Sequence, residues 1–395
     1  MTTLLLSENF PPKVGGSSRW FWEIYRRLPR DNFLVAAGED PQGDLFDSTH
    51  DLRVFRLPLT LPHWGIRSVT GIRGYGQALN AVRKIAKKQK VQRLHCGRCL
   101  PEGWIAWLVK QWDRIPYACY VHGEELNTSA SSREFRWMTH RVFRGADFLI
   151  ANSQNTAQIL IQEWQVSEDR VRQLYPGVAT DRFVPAPRNP SIRSSLKWGE
   201  RRVILTVGRL QKRKGHDQMI LALNEIQKSV PDVLYSIVGE GEERSALEEL
   251  VKQQQLSDHV QFLSAVDDQL LVQSYQQCDL FVLPNRQVEG DFEGFGMVLL
   301  EAQACGKPVV AGESGGTVET MQVSDTGRIV SCDDWRELSA VVVELLKDPD
   351  LRERMGVAAR DWVKSRFDWD ALSQQAEAIF RNERPHGSLQ TGQNM

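Results

Sequence analysis

Glu293 and Glu301 stand eight residues apart in the run Glu293-Gly-Phe-Gly-Met-Val-Leu-Leu-Glu301. The Glu-Gly-Phe-Gly stretch reads as a loop feeding an apolar helix over Met297–Cys305, which Gly306 closes. Glycines let backbone N–H groups approach a ligand, and the start of a helix adds a positive dipole end. One carboxylate lies on the loop and the other one to two turns into the helix. Both can then face one crevice and accept hydrogen bonds from vicinal hydroxyls. A polyhydroxylated, phosphorylated ligand fits this chemistry, a nucleotide-sugar above all.

Arg209 and Lys214 stand five apart in Gly208-Arg-Leu-Gln-Lys-Arg-Lys-Gly215, directly after the apolar run Val203–Val207. Cations there can stabilise charge that develops on a leaving diphosphate, Arg as a bidentate fork and Lys as a point charge. Lys212 and Arg213 read as solvated. Gly15 and Gly16 precede a helix, where a glycine pair can expose N–H groups to an anion or serve only as a turn. His122 follows the strand-like Tyr117–Val121, a position open to either a structural or a ligand-facing histidine. The dinucleotide signature Gly-x-Gly-x-x-Gly is missing after the first strand, which counts against a dehydrogenase.

No metal site is expected. Cys96-Gly-Arg-Cys99, with His95 beside it, lacks the second pair that zinc wants and reads as a strand-end loop with reduced thiols. The other cysteines, at 119, 278, 305 and 332, make no disulfide framework in a chain of this length. Asp267-Asp268 and Asp348-Pro-Asp350 read as helix starts.

Short apolar strands alternate with amphipathic helices throughout, which predicts α/β architecture with parallel sheets. In the first half Leu4–Leu6, Phe33–Ala37, Val54–Leu57, Arg93–Cys96, Tyr117–Val121 and Phe148–Ala151 are predicted strands. Trp20–Leu28, Gln77–Lys88 and Arg136–Phe143 are predicted helices between them. A Pro- and Ser-rich stretch near 180–200 reads as a linker. The series restarts with strands at Val203–Val207, Tyr235–Val238, Val260–Leu263, Leu280–Leu283, Val309–Ala311 and Gly327–Val330. Helices are expected from about Gly215, over Glu243–Gln254 and from Trp335 to about Arg381. The expected domains are 1–185, 200–365, a final helix within 366–384 and a disordered polar tail over 385–395. Ligands should bind at the carboxyl ends of strands facing a crevice between two doubly wound units.

The 395 residues suffice for two ordinary domains. No apolar run approaches the roughly 20 residues a spanning helix needs, and no signal peptide is evident, so a cytoplasmic protein is expected. The net charge of −1 conceals an asymmetry: residues 1–175 carry 24 Lys+Arg against 17 Asp+Glu, and the remainder 25 against 33. A basic N-terminal half suits an acidic partner such as anionic lipid, a phosphorylated acceptor or donor phosphates, and equally suits ordinary solvated charge. The cationic run Arg83–Lys90 and the aromatics Trp20-Phe-Trp22 lie in that half, the aromatics read as core. Peripheral association with an anionic membrane is therefore left open, and no nucleic-acid partner is expected.

The Glu-x7-Glu spacing after Asp279-Leu-Phe-Val-Leu-Pro284, with Gly306-Lys-Pro-Val-Val310 and Gly312-Glu-Ser-Gly-Gly316, resembles the retaining nucleotide-sugar glycosyltransferases of family 4, which have the GT-B fold. The likeness runs from Asn9-Phe-Pro-Pro to Phe367-Asp-Trp. The resemblance implies two Rossmann-like doubly wound domains with an inter-domain crevice and a final helix crossing back to the first. It assigns the diphosphate to Arg209 and Lys214, sugar positioning to His122, and donor phosphate or acceptor contact to the Gly15-Gly16 loop. Glu293 would hold sugar hydroxyls, and Gly294, Phe295, Gly296 and Met297 would line sugar and phosphate with backbone. Glu301 would take ribose hydroxyls and the base would stack near Ala265 and Val266. Transfer would retain configuration by front-face attack, without metal or cofactor, the leaving phosphate taking the acceptor's proton. The loop Asn285–Phe292 looks most like the phosphatidylinositol mannosyltransferase-like branch, which favours GDP-mannose, then UDP-glucose, and a lipid or glycan acceptor. A nucleotide-sugar epimerase and a non-catalytic nucleotide-sugar-binding protein are the alternatives.

Overall fold

The computed structural model describes residues 1–264 and 266–381. Ala265, expected near the base, and the expected tail 385–395 lie outside them.

The chain divides into two compact units, Met1–Pro176 with the helix Trp369–Phe380, and Gly177–Asp368. The first holds seven strands: β1 Thr3–Ser7, β2 Phe33–Gly38, β3 Val54–Leu57, β4 Arg93–Cys96, β5 Tyr117–Val121, β6 Phe148–Ala151 and β7 Val171–Gln173. All pair in parallel, in the order β3-β2-β1-β4-β5-β6-β7. Leu4, Leu5 and Leu6 are all fully buried, because helices cover both faces of such a sheet. This is why the strands read as unbroken apolar runs. The short edge strand β7, Val-Arg-Gln, offers no such run and was not expected.

Several helices of this unit extend the predicted ones or add to them. The first starts at Gly16 and ends at Tyr25, four residues earlier than predicted at its front. Val69–Lys88 begins eight residues before the predicted start, with the Ser68 hydroxyl accepting from Gly71 N–H at its cap. Trp104–Asp113 was not predicted; its four-residue apolar opening hides the helical period. The helix Trp369–Phe380 packs on the first helix, with the Phe380 ring 6.0 Å from Tyr25, and Arg93 donates to the Phe380 carbonyl at 2.8 Å.

The second unit holds β8 Arg202–Val207, β9 Val233–Val238, β10 Val260–Leu263, β11 Leu280–Leu283, β12 Val309–Gly312 and β13 Gly327–Val330. These are again parallel, in the order β10-β9-β8-β11-β12-β13. The stretch expected as a linker belongs to this unit and contains a helix, Pro190–Ser195, capped by Asn189. It is held there by the buried Arg193, whose guanidinium donates to the Gly199 carbonyl at 2.8 Å and to the carbonyls of Gln277 and Arg201. Asp267 and Asp348 are helix N-caps, accepting from Leu270 and Leu351 N–H at 2.7 and 2.8 Å.

Candidate active site

In each sheet the strand order reverses beside the first strand of the unit, between β1 and β4 and between β8 and β11. Loops leaving the carboxyl ends of such strands diverge and leave room for a ligand. Of the residues singled out in the second unit, Arg209 and Lys214 follow β8 and Glu293 follows β11, at this point, whereas Val266 follows the edge strand β10.

After β8 the chain passes Gly208 and the exposed Arg209, makes a 3₁₀ turn over Lys212–Lys214, and enters the helix His216–Ser229. Gly215 lies between turn and helix with φ of 71°. A Cβ there would come within 1.7 Å of the Pro284 carbonyl oxygen, just past β11, so only glycine lets the two strand-end loops meet. Arg286 N–H then donates to the Arg213 carbonyl at 2.9 Å, and its guanidinium grips Asp217 at 2.9 and 2.7 Å.

The Gly312–Gly316 loop fixes the backbone of Glu293. Gly316 N–H donates to the Glu293 carbonyl at 3.0 Å, and Glu293 N–H donates to the Ser314 hydroxyl at 3.4 Å. A Cβ at Gly315 (φ of 60°) would lie 1.9 Å from that same Glu293 carbonyl. The side chain is thereby aimed at the turn after β8. Arg213 Nη1 donates to Glu293 Oε2 at 2.7 Å, and Lys214 Nζ donates to the same oxygen. Arg213 Nε also meets Asp291 Oδ2 at 3.0 Å. Burial alone would raise the Glu293 carboxyl, but Lys214 and Arg213 outweigh it and hold the group below the usual carboxylate range. Lys212 is exposed, whereas Arg213 is only 5% exposed and ion-paired, which corrects its reading as a solvated cation. A three-cation run carries no periodicity that tells which member turns inward.

Gly294, Phe295 and Gly296 are buried and Met297 half-buried. Gly296, with φ of 94°, caps the helix Met297–Ala304, whose first N–H groups have no partner within the helix. Glu301 is buried in that helix, and its Oε2 accepts from the Tyr275 hydroxyl at 2.6 Å. Sequence reasoning missed Tyr275, a tyrosine on the covered face of Asp268–Gln277. Val266 is half-buried after β10. Thus the structure brings Lys214 and Glu293 into contact, with Arg209 on the same strand-end loop.

His122 and the glycine pair belong to the first unit. His122 follows β5 and is fixed at three points. Its N–H donates to Glu125 Oε1 at 2.8 Å, its carbonyl accepts from Asn152 Nδ2 at 2.8 Å, and its Nε2 bonds the Gly97 carbonyl at 2.7 Å. A carbonyl only accepts, so Nε2 carries the proton and, in the neutral ring, Nδ1 is the acceptor. Gly15 and Gly16 are exposed at the start of the first helix, with no side-chain cap.

All six cysteines are buried free thiols, and among the described residues no group of three or more His, Cys, Asp or Glu is placed to hold a metal. His95 is enclosed in the core, 2.6 Å from the Tyr25 hydroxyl. Among the described residues no helix is long and apolar enough to cross a membrane.

Residues 14–182 match the family described as Glycosyltransferase Family 4, and residues 188–362 match Glycosyl transferases group 1. The chain is 30% identical over 388 residues to the GDP-mannose-dependent monoacylated alpha-(1-6)-phosphatidylinositol monomannoside mannosyltransferase of Corynebacterium glutamicum, covering 96% of this chain and 98% of that protein. It is also 30% identical to the D-inositol 3-phosphate glycosyltransferase of Corynebacterium aurimucosum, covering 93% and 91%. Among solved structures, Anabaena HepE in complex with UDP superposes with a TM-score of 0.81 at 22% identity, over 97% of this chain and 100% of that one. The sucrose-phosphate synthase of Thermosynechococcus elongatus does so equally well, also at 22% identity, over 97% and 99%. With the two parallel doubly wound sheets and these matches, the chain belongs to the family-4 glycosyltransferases and has their GT-B fold.

Proposed function

We propose that this glycosyltransferase moves mannose from GDP-mannose to a hydroxyl of a lipid or glycan acceptor, with retention of configuration and without a metal. The observation that carries the reading is the buried Glu293 carboxylate held against Lys214 at the switch point of the second sheet, with Arg209 on the same loop. An ionised carboxylate is an acceptor of sugar hydroxyls, and the neighbouring cations meet diphosphate charge as the glycosidic bond breaks. Glu301 would take the ribose and His122 would position the sugar. With the donor's charge met by Arg209, Lys214 and helix N-termini, a bridging metal has no required part.

GDP-mannose is favoured because the C. glutamicum relative, similar along nearly its whole length, carries that donor in its name. The same name supplies the acceptor class, a phosphatidylinositol mannoside. A UDP-sugar of the glucose type is the second reading. It rests on the same chemistry, since the carboxylates and cations named above meet sugar, ribose and diphosphate, which both donors carry.

A lipid acceptor also calls for a surface that meets a membrane. The helix Trp104–Asp113 packs against both Val69–Lys88 and Arg133–Gly145. Together these three helices carry ten Lys and Arg against two acids, Asp113 and Glu134. Asp113 is bound by Arg83 at 2.6 and 2.8 Å, and Glu134 accepts the Ile66 and Arg67 N–H groups at 2.7 and 2.9 Å. Trp112 and Trp137 stay 58% and 44% exposed among those cations. Exposed tryptophans with arginines suit an anionic lipid interface.

The deciding experiment is thermal stabilisation by GDP, UDP, ADP and NAD at equal concentration. A ligand at 100 times its dissociation constant adds roughly 2.7 kcal/mol. Selective stabilisation by GDP, followed by transfer from GDP-mannose to phosphatidylinositol monomannoside with an α-linked product, supports the proposal. Stabilisation by UDP alone moves the donor to the second reading, and by NAD alone overturns the transferase site.

A further inference from the structure

Lys214 is committed twice. In the structure its Nζ lies on Glu293 Oε2, its one ion-pair partner among the described residues, and within 4.0 Å of where a Gly208 Cβ would stand. As a diphosphate ligand its ammonium has to turn donors toward phosphate, which divides or withdraws the charge that Glu293 now has beside it. Glu293 is buried, and an ionised carboxylate out of water is costly unless a cation stays beside it. Arg213 is placed to stay. Asp291 anchors its Nε, the turn Lys212–Lys214 is tied to the β11 loop through Arg286 N–H, and Nη1 reaches Glu293 without the help of Lys214.

We propose that Arg213 is a positioning residue of the donor site: by holding the charge of Glu293 in place it releases Lys214 to the donor's diphosphate. The proposal rests on the nucleotide-sugar reading above. It adds a residue that touches neither phosphate nor sugar and acts only through Glu293 and Lys214. Ligand entry then exchanges one cation for another: Lys214 moves from carboxylate to phosphate while Arg213 keeps Glu293 ionised and aimed at the sugar.

The groups around Glu293 make the expected pH behaviour specific. Lys214 and Arg213 face it directly, Asp291 pairs with Arg213, and the Gly312–Gly316 loop contributes the Ser314 hydroxyl and the Gly316 N–H. Asp217 is occupied by Arg286, and His216, buried beside Lys214, is lowered to about 4 by burial and is neutral above that. Without Arg213 the Glu293 carboxyl keeps its burial and loses one of its two cations, so its pKa rises. Above that raised pKa Glu293 is charged and retains Lys214; below it Glu293 is neutral and lets Lys214 go.

The test is calorimetric binding of GDP, and of UDP, to the full chain from pH 5 to 8. Arg213→Gln is expected to weaken nucleoside diphosphate binding by about tenfold at pH 7.5, with affinity recovering as pH falls. Arg213→Lys keeps the charge and loses the fork that joins Asp291 to Glu293, so its affinity should lie between those of Arg213→Gln and the parent. The decisive variant is Arg213→Gln combined with Glu293→Gln. With no charge left to hold, Lys214 is free and GDP affinity should return to within about threefold of the parent. Unchanged affinity in Arg213→Gln overturns the proposal, and so does a loss that Glu293→Gln fails to restore, since that is what a purely structural role predicts. A parent chain that binds neither GDP nor UDP overturns instead the nucleotide-sugar reading beneath it. Coincident melting curves of parent and double variant keep misfolding out of the comparison.

Discussion

The two switch points share a topology and differ in charge. In the first unit Glu8 follows β1, and Arg98 and Glu102 follow β4. Arg98 pairs with Glu8 and with Glu102 Oε2 at 3.0 Å, Glu102 Oε1 accepts Glu8 N–H at 2.8 Å, and the guanidinium lies 4.9 Å from the Trp64 ring. One guanidinium thus serves two carboxylates, and Lys13 Nζ stands 3.8 Å from Glu8 Oε1 as a second, looser partner. In the second unit four cations, Arg209, Lys212, Arg213 and Lys214, stand on the loop after β8, and Glu293 and Asp291 meet Arg213 and Lys214. Here the cations outnumber the acids. A doubly wound sheet supplies only the divergence of its loops, and loop residues decide whether that position is a structural brace or a place for an anion.

The sharpest way to break this comparison is Glu293→Ala, which should lower transfer by roughly a hundredfold or more while the melting curve shows the chain still folded. Unaltered turnover would remove Glu293 from the site. Next, Arg98→Met takes the guanidinium from the first unit's brace, leaving the buried Glu102 without its cation and Glu8 with Lys13 alone at 3.8 Å. A loss of about 3–5 kcal/mol in urea unfolding is expected, with GDP affinity unchanged at low temperature. If Arg98→Met spares stability and weakens GDP, the roles of the two switch points have been assigned the wrong way round. Arg209→Ala should then weaken GDP by roughly tenfold, with little effect on stability because the side chain is exposed. Equal affinity in parent and variant would take it out of the phosphate site.

The smallest effects come from a feature the units share. Each buries one histidine against a tyrosine hydroxyl, His95 on Tyr25 at 2.6 Å and His216 on Tyr235 at 3.1 Å. Burial lowers them to about 3 and about 4, with Arg93 adding to the effect at His95. Both folded values lie below the ordinary histidine value of 6.5. The unfolded chain therefore takes up protons first as pH falls. The stability these groups contribute is present above about pH 6.5 and is lost between there and the folded values. At pH 5.5 each histidine should cost about 1 kcal/mol relative to pH 7.5, and His95→Gln or His216→Gln should flatten that part of the curve. A parent curve flat from pH 7.5 to 5 would mean the rings are not buried neutral.

Legibility in the sequence followed the physics of each element. Six strands of the first sheet and the six of the second stand out because a parallel sheet covered on both faces demands continuous apolar runs. β7 is three residues at an edge and needs no such run. Among the candidate site residues, Glu293, Arg209 and Lys214 stand on glycine-flanked loops next to strand ends, and Glu301 stands on the helix that follows one. Arg213 is not legible as one of them. Its burial depends on Glu293 and Asp291, roughly eighty residues away, and Lys212 looks the same from the chain alone. Tyr275 beside Glu301 is hidden in the same way, since one tyrosine on a helix face is ordinary core until its hydroxyl finds a carboxylate.

By itself, then, the sequence determined the local matters: which segments are strands and helices, that the strands are parallel, and which loops have the glycines and charges to meet a phosphorylated sugar. Those follow from periodicity, backbone freedom and charge, all properties of neighbouring residues. Only the tertiary structure decided which cations meet which carboxylates. That choice rests on contacts such as Gly215 against the Pro284 carbonyl and Gly315 against the Glu293 carbonyl, which exist once β8, β11 and β12 lie side by side. Burial then turns such a contact into a strong interaction, because a charge removed from water must be matched by a partner, and the fold alone says which partner is within reach.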